Sequence, residues 1–376
     1  MKKYAYIGCL GFLGIITTEF GVIGFLPQLA KHYDISIDKA GGLLSAFSLV
    51  IALTGPFMTL LASSFDRKKV MFTAILIFLI SNLISVFTPP FRVLMIARIL
   101  PAFLQPVYIS TALSVAVSMG DQQKKNEMMS IVFSGVALAM VTTVPFATYL
   151  SSVISFEYAY IVQGGVLLIA LGFIYWGLPP LPVQGKQSYG TQVRILTKPA
   201  FIYSTLMNFF MITAWFSTYS YFAEYLTKAK DMDETMVSYM LLLFGVIGVF
   251  AGLLAGKLLN KHVAGTTAFF LAGTIIIPVL LFYSGGNTLT TILVIGLWGF
   301  LYSPGFLNAS TYMISSAPEA MEFANSLATS TGNLGVTLGT TMGGWIIATH
   351  GVVYTPWLTL GFGLLAYLMM LCRGIR

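Results

Sequence analysis

"LGIITTEFGVIGFLPQLA", residues 13–30, carries one charged side chain, Glu19, in an otherwise uncharged run. With the residues before it, the apolar stretch extends from Tyr4 to about Leu29. A hydrocarbon core about 30 Å thick takes roughly 20 residues of helix to cross. The stretch is therefore long enough to span a bilayer. It follows Lys2 and Lys3, as in a signal peptide, but it exceeds an h-region and no small-residue cleavage site follows it. It reads as an uncleaved first span, and its carboxylate needs an explanation.

The rest of the 376-residue chain has the same character. Charged residues make up 9% and hydrophobic ones 57%, against about a quarter charged in soluble domains. The mean hydropathy is +0.85. Twelve segments have spanning length: about 4–29, 41–63, 70–88, 91–118, 128–152, 157–178, 200–226, 236–258, 264–283, 289–313, 323–348 and 353–372. The expected fold class is an all-α polytopic membrane protein.

The basic residues orient it. With the N-terminus inside, fourteen of the twenty Lys and Arg fall on the cytoplasmic side, five on the other, and Arg98 within a span. This asymmetry follows the positive-inside rule and predicts both termini in the cytoplasm. It also assigns the net charge of +7 to the cytoplasmic leaflet and not to nucleic acid.

The longest polar connection, 178–200, divides the chain into an N-terminal half (1–178), a linker (179–199) and a C-terminal half (200–376). "TLLASSFDRK" (59–68) after span 2 echoes "GLLAGKLLNK" (252–261) after span 8, 193 residues later. Two six-helix repeats about an axis along the membrane normal fit this layout.

At these residues the chain resembles the major facilitator superfamily, and within it the twelve-span drug:proton antiporter branch that includes arabinose and other sugar efflux permeases. Thr18-Glu19-Phe20 and Gly24-Phe25-Leu26-Pro27 match that branch's first span, and Ala40-Gly41 with Gly55-Pro56 its second. The loop after span 2 is similar to Gly-x-Leu-Ala-Asp-Arg-x-Gly-Arg-Lys. Thr59 replaces the first glycine, Ser63 and Ser64 replace Asp-Arg, and Asp66 replaces the second glycine; Leu61, Ala62, Arg67 and Lys68 remain. Arg98 matches the buried arginine of span 4. Thr143-Val144-Pro145-Phe146-Ala147-Thr148 resembles the antiporter motif Gly-Val-Pro-Leu-Gly-Thr, with Pro145 kept. Asn333-Leu334-Gly335, Gly339 and Gly343-Gly344 resemble span 11. The resemblance implies a major facilitator fold in the inner (plasma) membrane, with Asp66, Arg67 and Lys68 at a cytoplasmic gate and Pro145 bending a helix. It also implies the direction of transport, efflux.

Residue chemistry supplies the coupling expectation. Glu19 lies about 22 Å along the first span from its start, and Arg98 about 12 Å into the oppositely directed fourth. Their depths agree within a turn. Ionisable residues at that depth are costly and face a partner or a cavity. A carboxylate beside an arginine whose distance or hydration changes with alternating access can load and release a proton. The bland alternative is a static ion pair. Gln105, Tyr108, Asn208, Trp215, Tyr219, Asn308 and Asn333 are the polar or amphipathic residues set against a substrate cavity, although most such residues simply bond neighbouring helices. Tyr221, Phe222 and Tyr225 read as an interfacial aromatic belt, and Glu224 as a solvated helix end. Gly335, Gly339 and Gly343, and likewise Gly245, Gly248, Gly252 and Gly256, lie on single faces suited to close helix packing. Cys9 and Cys372, near opposite ends, read as buried apolar thiols.

No phosphate-binding loop or metal-ligand spacing appears, and no cofactor is expected. The reading is therefore not an enzyme but a secondary transporter, expected as a monomer, whose partners are a small solute, protons and the lipid bilayer. It would export a sugar, nucleoside or amphipathic drug in exchange for protons. An uptake carrier on the same fold is the first alternative and a non-transporting membrane sensor or scaffold the second.

Overall fold

A computed structural model describes residues 2–62, 65–119, 125–180, 190–285 and 287–374. Ser63 and Ser64 of the degraded motif, Lys124, Lys186, Arg376 and the linker residues 181–189 lie outside these. The described residues form helices throughout: α1 (Lys3–His32), α2 (Ile37–Ala62), α3 (Arg67–Val86), α4 (Phe91–Ile99), α5 (Gln105–Ser118), α6 (Lys125–Leu138), α7 (Val144–Val153), α8 (Glu157–Gly177), α9 (Pro199–Tyr219) and α10 (Phe222–Lys230) come first. Then follow α11 (Glu234–Leu259), α12 (Val263–Leu271), α13 (Gly273–Tyr283), α14 (Thr288–Tyr302), α15 (Gly305–Ile314), α16 (Met321–His350) and α17 (Thr355–Arg373).

Among the described residues, eleven helical stretches are long and apolar enough to cross a membrane. The twelfth expected segment, 323–348, lies in α16, which has the length but is not among the eleven. Its run of Ser, Thr, Asn and Gly lowers its hydropathy.

Several expected spans are interrupted where prolines remove backbone donors. Span 4 is α4 and α5 joined by a 3₁₀ turn, Leu100–Leu104, with Pro101 inside it and Pro106 opening α5. Span 5 is α6 and α7 joined by a π turn, Ala139–Thr143, just before Pro145. Span 10 breaks at Ser303–Pro304, between α14 and α15. Within α1, Phe25 leaves helical geometry two residues before Pro27.

Span 7 departs further from expectation. It ends at Tyr219; Tyr221 is non-helical, and α10 is a separate short helix that closes on Asp231 in the left-handed region. Tyr221, Phe222 and Tyr225 are not an interfacial belt. All three are fully buried, with the Tyr221 hydroxyl donating to Thr340 O and that of Tyr225 to Leu281 O. Glu224 sits on α10, half-buried, not at a solvated end of the span.

The chain groups into two compact units, Met1–Phe25 with Leu53–Ser188, and Leu26–Ala52 with Tyr189–Arg376. The first break falls at the α1 kink. In the first unit α3 packs on α8, and α1 is the most buried of the eleven spans. Small residues admit it: a Cβ on Gly8 would meet Ala112 and Val132, one on Gly14 would meet Leu167, and one on Gly24 would meet Thr148.

In the second unit α9 packs along α16 and α17. Cβ atoms on Gly335, Gly339 and Gly343 would lie within 3 Å of the α9 carbonyls of Phe209, Thr213 and Ser217. These glycines bring two backbones together. The α11 stripe behaves differently: Gly248 faces Ser303, but Gly252 and Gly256 face open space. Its spacing resembles a packing stripe, yet only part of it touches a neighbour. The 3₁₀ turn Gly190–Thr197 contributes Ile195 to an apolar cluster with Phe201, Met313, Ala317 and Ala324.

Candidate functional site

The first unit holds a polar core around α1. Glu19 is 4% exposed. Its Oε2 accepts from Gln105 Nε2 at 2.6 Å. Gln105 reaches it because the 3₁₀ turn between α4 and α5 resets the register of span 4. Arg98, 3% exposed, does not pair with Glu19. Its Nη2 donates to the carbonyl of Thr18 at 2.5 Å, and its guanidinium lies 5.4 Å from the centre of the Tyr160 ring. Arg98 on α4 thus reaches α1 at Thr18, one residue from Glu19, but the acid and the cation find separate partners.

The hydroxyl of Thr18 accepts from Asn82 Nδ2 at 3.1 Å. Thr17 bonds the hydroxyl of Thr143, the last residue of the π turn. This links the start of the Pro145 motif to the glutamate-bearing turn. Gln163, fully buried, lies against Gly21. Buried side-chain atoms without a hydrogen-bond partner gather here: Arg98 Nη1, Asn82 Oδ1, Gln105 Oε1 and both amide atoms of Gln163. Buried polar groups are normally satisfied, so the concentration of such atoms around α1 is unusual. Asn82, Tyr160 and Gln163 escaped the sequence reading. One buried polar residue in an apolar helix carries no signal of which neighbour it faces.

The remaining expected residues divide. The Tyr108 hydroxyl donates to Gly8 O at 3.2 Å, with the ring over Gly11, a helix-packing contact in the first unit. In the second unit Asn208 donates to Thr331 Oγ1 and Ala328 O. Asn308 and Asn333 bond carbonyls one turn back on their own chain. Trp215 stacks on Tyr302 at 5.0 Å and occupies the space a side chain on Gly305 would fill. Tyr219 stacks on Phe244 at 5.1 Å, with Phe222 and Trp298 around it. The indole nitrogens of Trp215 and Trp298 are buried without partners. The seven residues expected at one cavity thus occur as two in the first unit, two in an aromatic cluster, Asn208 in an α9–α16 bond, and Asn308 and Asn333 in local helix bonds.

At the loop after α2, Asp66 caps α3 by accepting from Lys69 N at 2.9 Å. Arg67 donates to Ser118 Oγ and Lys68 to Tyr175 O. Elsewhere, Lys198 donates to Glu319 Oε1 at 2.6 Å and holds that carboxyl below its ordinary value. Cys9 is buried, but Cys372 is exposed. Among the described residues no group of three His, Cys, Asp or Glu could hold a metal.

Among the described residues, the all-helical fold with eleven helical stretches apolar enough to cross a membrane and one buried carboxylate, Glu19, is that of a multi-span membrane protein. A family model of the Major Facilitator Superfamily matches residues 8–340, and the chain belongs to that superfamily.

Similar proteins are transporters. An uncharacterized MFS-type transporter, YtbD of Bacillus subtilis, is 29% identical over 91% of this chain and 88% of its own. The inner membrane transport protein YdhP of Escherichia coli K12 is 27% identical over 92% and 90%. A probable sugar efflux transporter of Helicobacter pylori G27 is 25% identical over 93% and 90%. The human organic anion transporter MFSD10 and the nucleoside transporter NupG share the fold. Each has a TM-score of 0.71 over 99% of this chain and 98% of theirs, at 13% and 14% identity. The protein is a multi-pass inner-membrane transporter and not an enzyme.

Proposed function

We propose that the protein exports a small organic solute, a sugar in the first instance, in exchange for protons by alternating access. The observation that carries this is Glu19: a buried carboxylate held by a neutral amide, with no cation paired to it. A carboxylate so placed changes protonation when its hydration changes. Arg98, bonded one residue away at Thr18 O, is the nearby cation that a rearrangement of α1 would bring to it or take from it. The similarity to a probable sugar efflux transporter supports the solute class and the direction.

In this reading the repeats 1–178 and 200–376 rock about a midplane site, with both termini cytoplasmic and the monomer as the working unit. Gln105, with the buried amides and aromatic rings, meets the solute. Asp66, Arg67 and Lys68 form the gate at the α2–α3 loop. The π turn before Pro145, and the α9–α16 contact at Gly335 and Gly339, are the points of bending and sliding.

The test uses purified protein in liposomes with an internal pH dye, screened with sugars, nucleosides and cationic drugs. Solute-driven proton flux that appears with one class and vanishes in Glu19→Gln is the expected result. Solute movement without proton flux, unchanged by the substitution, would overturn the coupling role. Flux in the inward direction only would overturn export.

A further inference from the structure

Two grooves open on the first unit, away from Glu19 and Arg98. One, of about 550 Å³, is lined by Lys3, Ile7, Cys9, Leu13, Leu138 and Phe173, among others. The second, of about 540 Å³, is lined by residues of α8: Leu168, Ile169, Gly172, Phe173, Trp176 and Gly177. They share Phe173 and Gly177. Phe173 and Gly177 thus border both grooves. Glycines shape them: a Cβ on Gly172 would meet the Trp176 ring at 3.1 Å, and one on Gly177 would meet Ile7 Cδ1.

The depth and the chemistry match one occupant. From Lys3 to Leu13 the α1 wall descends ten residues, about 15 Å by helical rise, which is about half of a 30 Å hydrocarbon core. The walls are apolar over that depth. Charge occurs only at the mouth. Lys3 lines the first groove, and Lys68, outside both linings, donates to Tyr175 O near the C-terminal end of α8 at 2.7 Å. Among the described residues no acidic side chain lines either groove. Trp176, 83% exposed, closes the same end and is the residue type that sits at headgroup level.

We propose that the paired grooves seat the two acyl chains of one anionic phospholipid, both bordered by Phe173, with its phosphate held at Lys3. The bilayer leaflet on the side of the N-terminus supplies it. This site is separate from the solute site and its occupancy does not depend on what is transported. Basic residues at the mouth of grooves between spanning helices bind anionic headgroups, each lysine contributing an attraction that corresponds to a preference of about fivefold.

Native mass spectrometry of the purified protein titrated with phosphatidylglycerol or phosphatidylcholine tests this. The wild type is expected to retain one phosphatidylglycerol with about fivefold preference over phosphatidylcholine. Lys3→Gln brings the ratio close to one, and Lys3→Arg keeps it. Gly172→Leu, which fills the second groove beside an exposed and yielding Trp176 side chain, weakens retention of both lipids. Thermal denaturation of each variant checks that the fold is kept. Equal retention of the two lipids by the wild type would overturn the proposal. So would a preference that survives Lys3→Gln, or retention untouched by Gly172→Leu.

Discussion

The carboxylate of Glu19 and the amide of Gln105 share a 2.6 Å hydrogen bond, while Arg98, opposite the neighbouring turn of α1, is bound to the Thr18 carbonyl. The acid and the cation lie beside consecutive residues and are held apart by their own partners. The proposed coupling requires a second state, in which the arginine exchanges its backbone acceptor for the carboxylate.

Gln105→Leu removes the donor and leaves the shape largely unchanged. A hydrogen bond to a charged group is worth about 1.5–3 kcal/mol, so solute-driven proton flux in liposomes is expected to fall by about tenfold or more. Flux at the wild-type rate would show that the amide does not position the proton-carrying group.

Two glycines with similar sequence surroundings should behave oppositely. A methyl group on Gly339 would lie 2.5 Å from Thr213 O, so Gly339→Ala must separate α9 from α16, at a cost of about 1–3 kcal/mol. Gly252 has nothing within 4 Å; Gly252→Ala should be neutral or stabilise by up to about 1 kcal/mol through helix propensity. Thermal denaturation in detergent distinguishes them, and a loss at Gly252 as large as that at Gly339 would refute the packing argument.

Arg373 pins the end of α17. Its Nη1 donates to Ser204 Oγ at 3.0 Å and Tyr312 O at 2.6 Å, its Nη2 to Ser315 Oγ at 3.0 Å, and its guanidinium lies 4.0 Å from the Tyr312 ring centre. Arg373→Ala is expected to cost about 2–3 kcal/mol. Arg373→Lys should recover only part of that, because an ammonium cannot reproduce the fork and the stacking. Equal stability of the Lys variant and the wild type would reduce the role to charge alone.

The Lys198–Glu319 tie gives a pH dependence of known sign. The glutamate's folded-state pKa is depressed by the lysine's hydrogen bond. Its contribution is therefore present above the unfolded value, about 4.3, and is lost as pH falls through the lower folded value. Both side chains are about half exposed, so the effect is small and screened by salt. Comparing thermal midpoints of the wild type and Lys198→Gln from pH 7 to pH 3 should show a gap that narrows as the acid is protonated. A gap that is constant with pH would assign it to packing.

What the sequence by itself determined is the membrane architecture and the place of the acid. Length and hydropathy are local quantities, so eleven of the twelve expected spans, including that of Glu19, followed from the chain directly. The family motifs added the fold. The retained Pro145 pointed to a bend, though not that the turn before it would be a π turn and the one holding Pro101 a 3₁₀ turn, because the hydrogen-bond pattern around a missing donor depends on what the neighbouring helices can accept. Only the tertiary structure decided partners. Glu19 and Arg98 were matched in depth, but depth fixes one coordinate of three. The azimuth of each side chain, reset for Gln105 by the turn at Leu100–Leu104, gave the carboxylate an amide and the arginine a carbonyl. The same reason separates Gly339 from Gly252 and buries Tyr221 where an interfacial residue was expected: a residue's spacing along a helix is written in the chain, whereas what stands opposite it is a property of another helix.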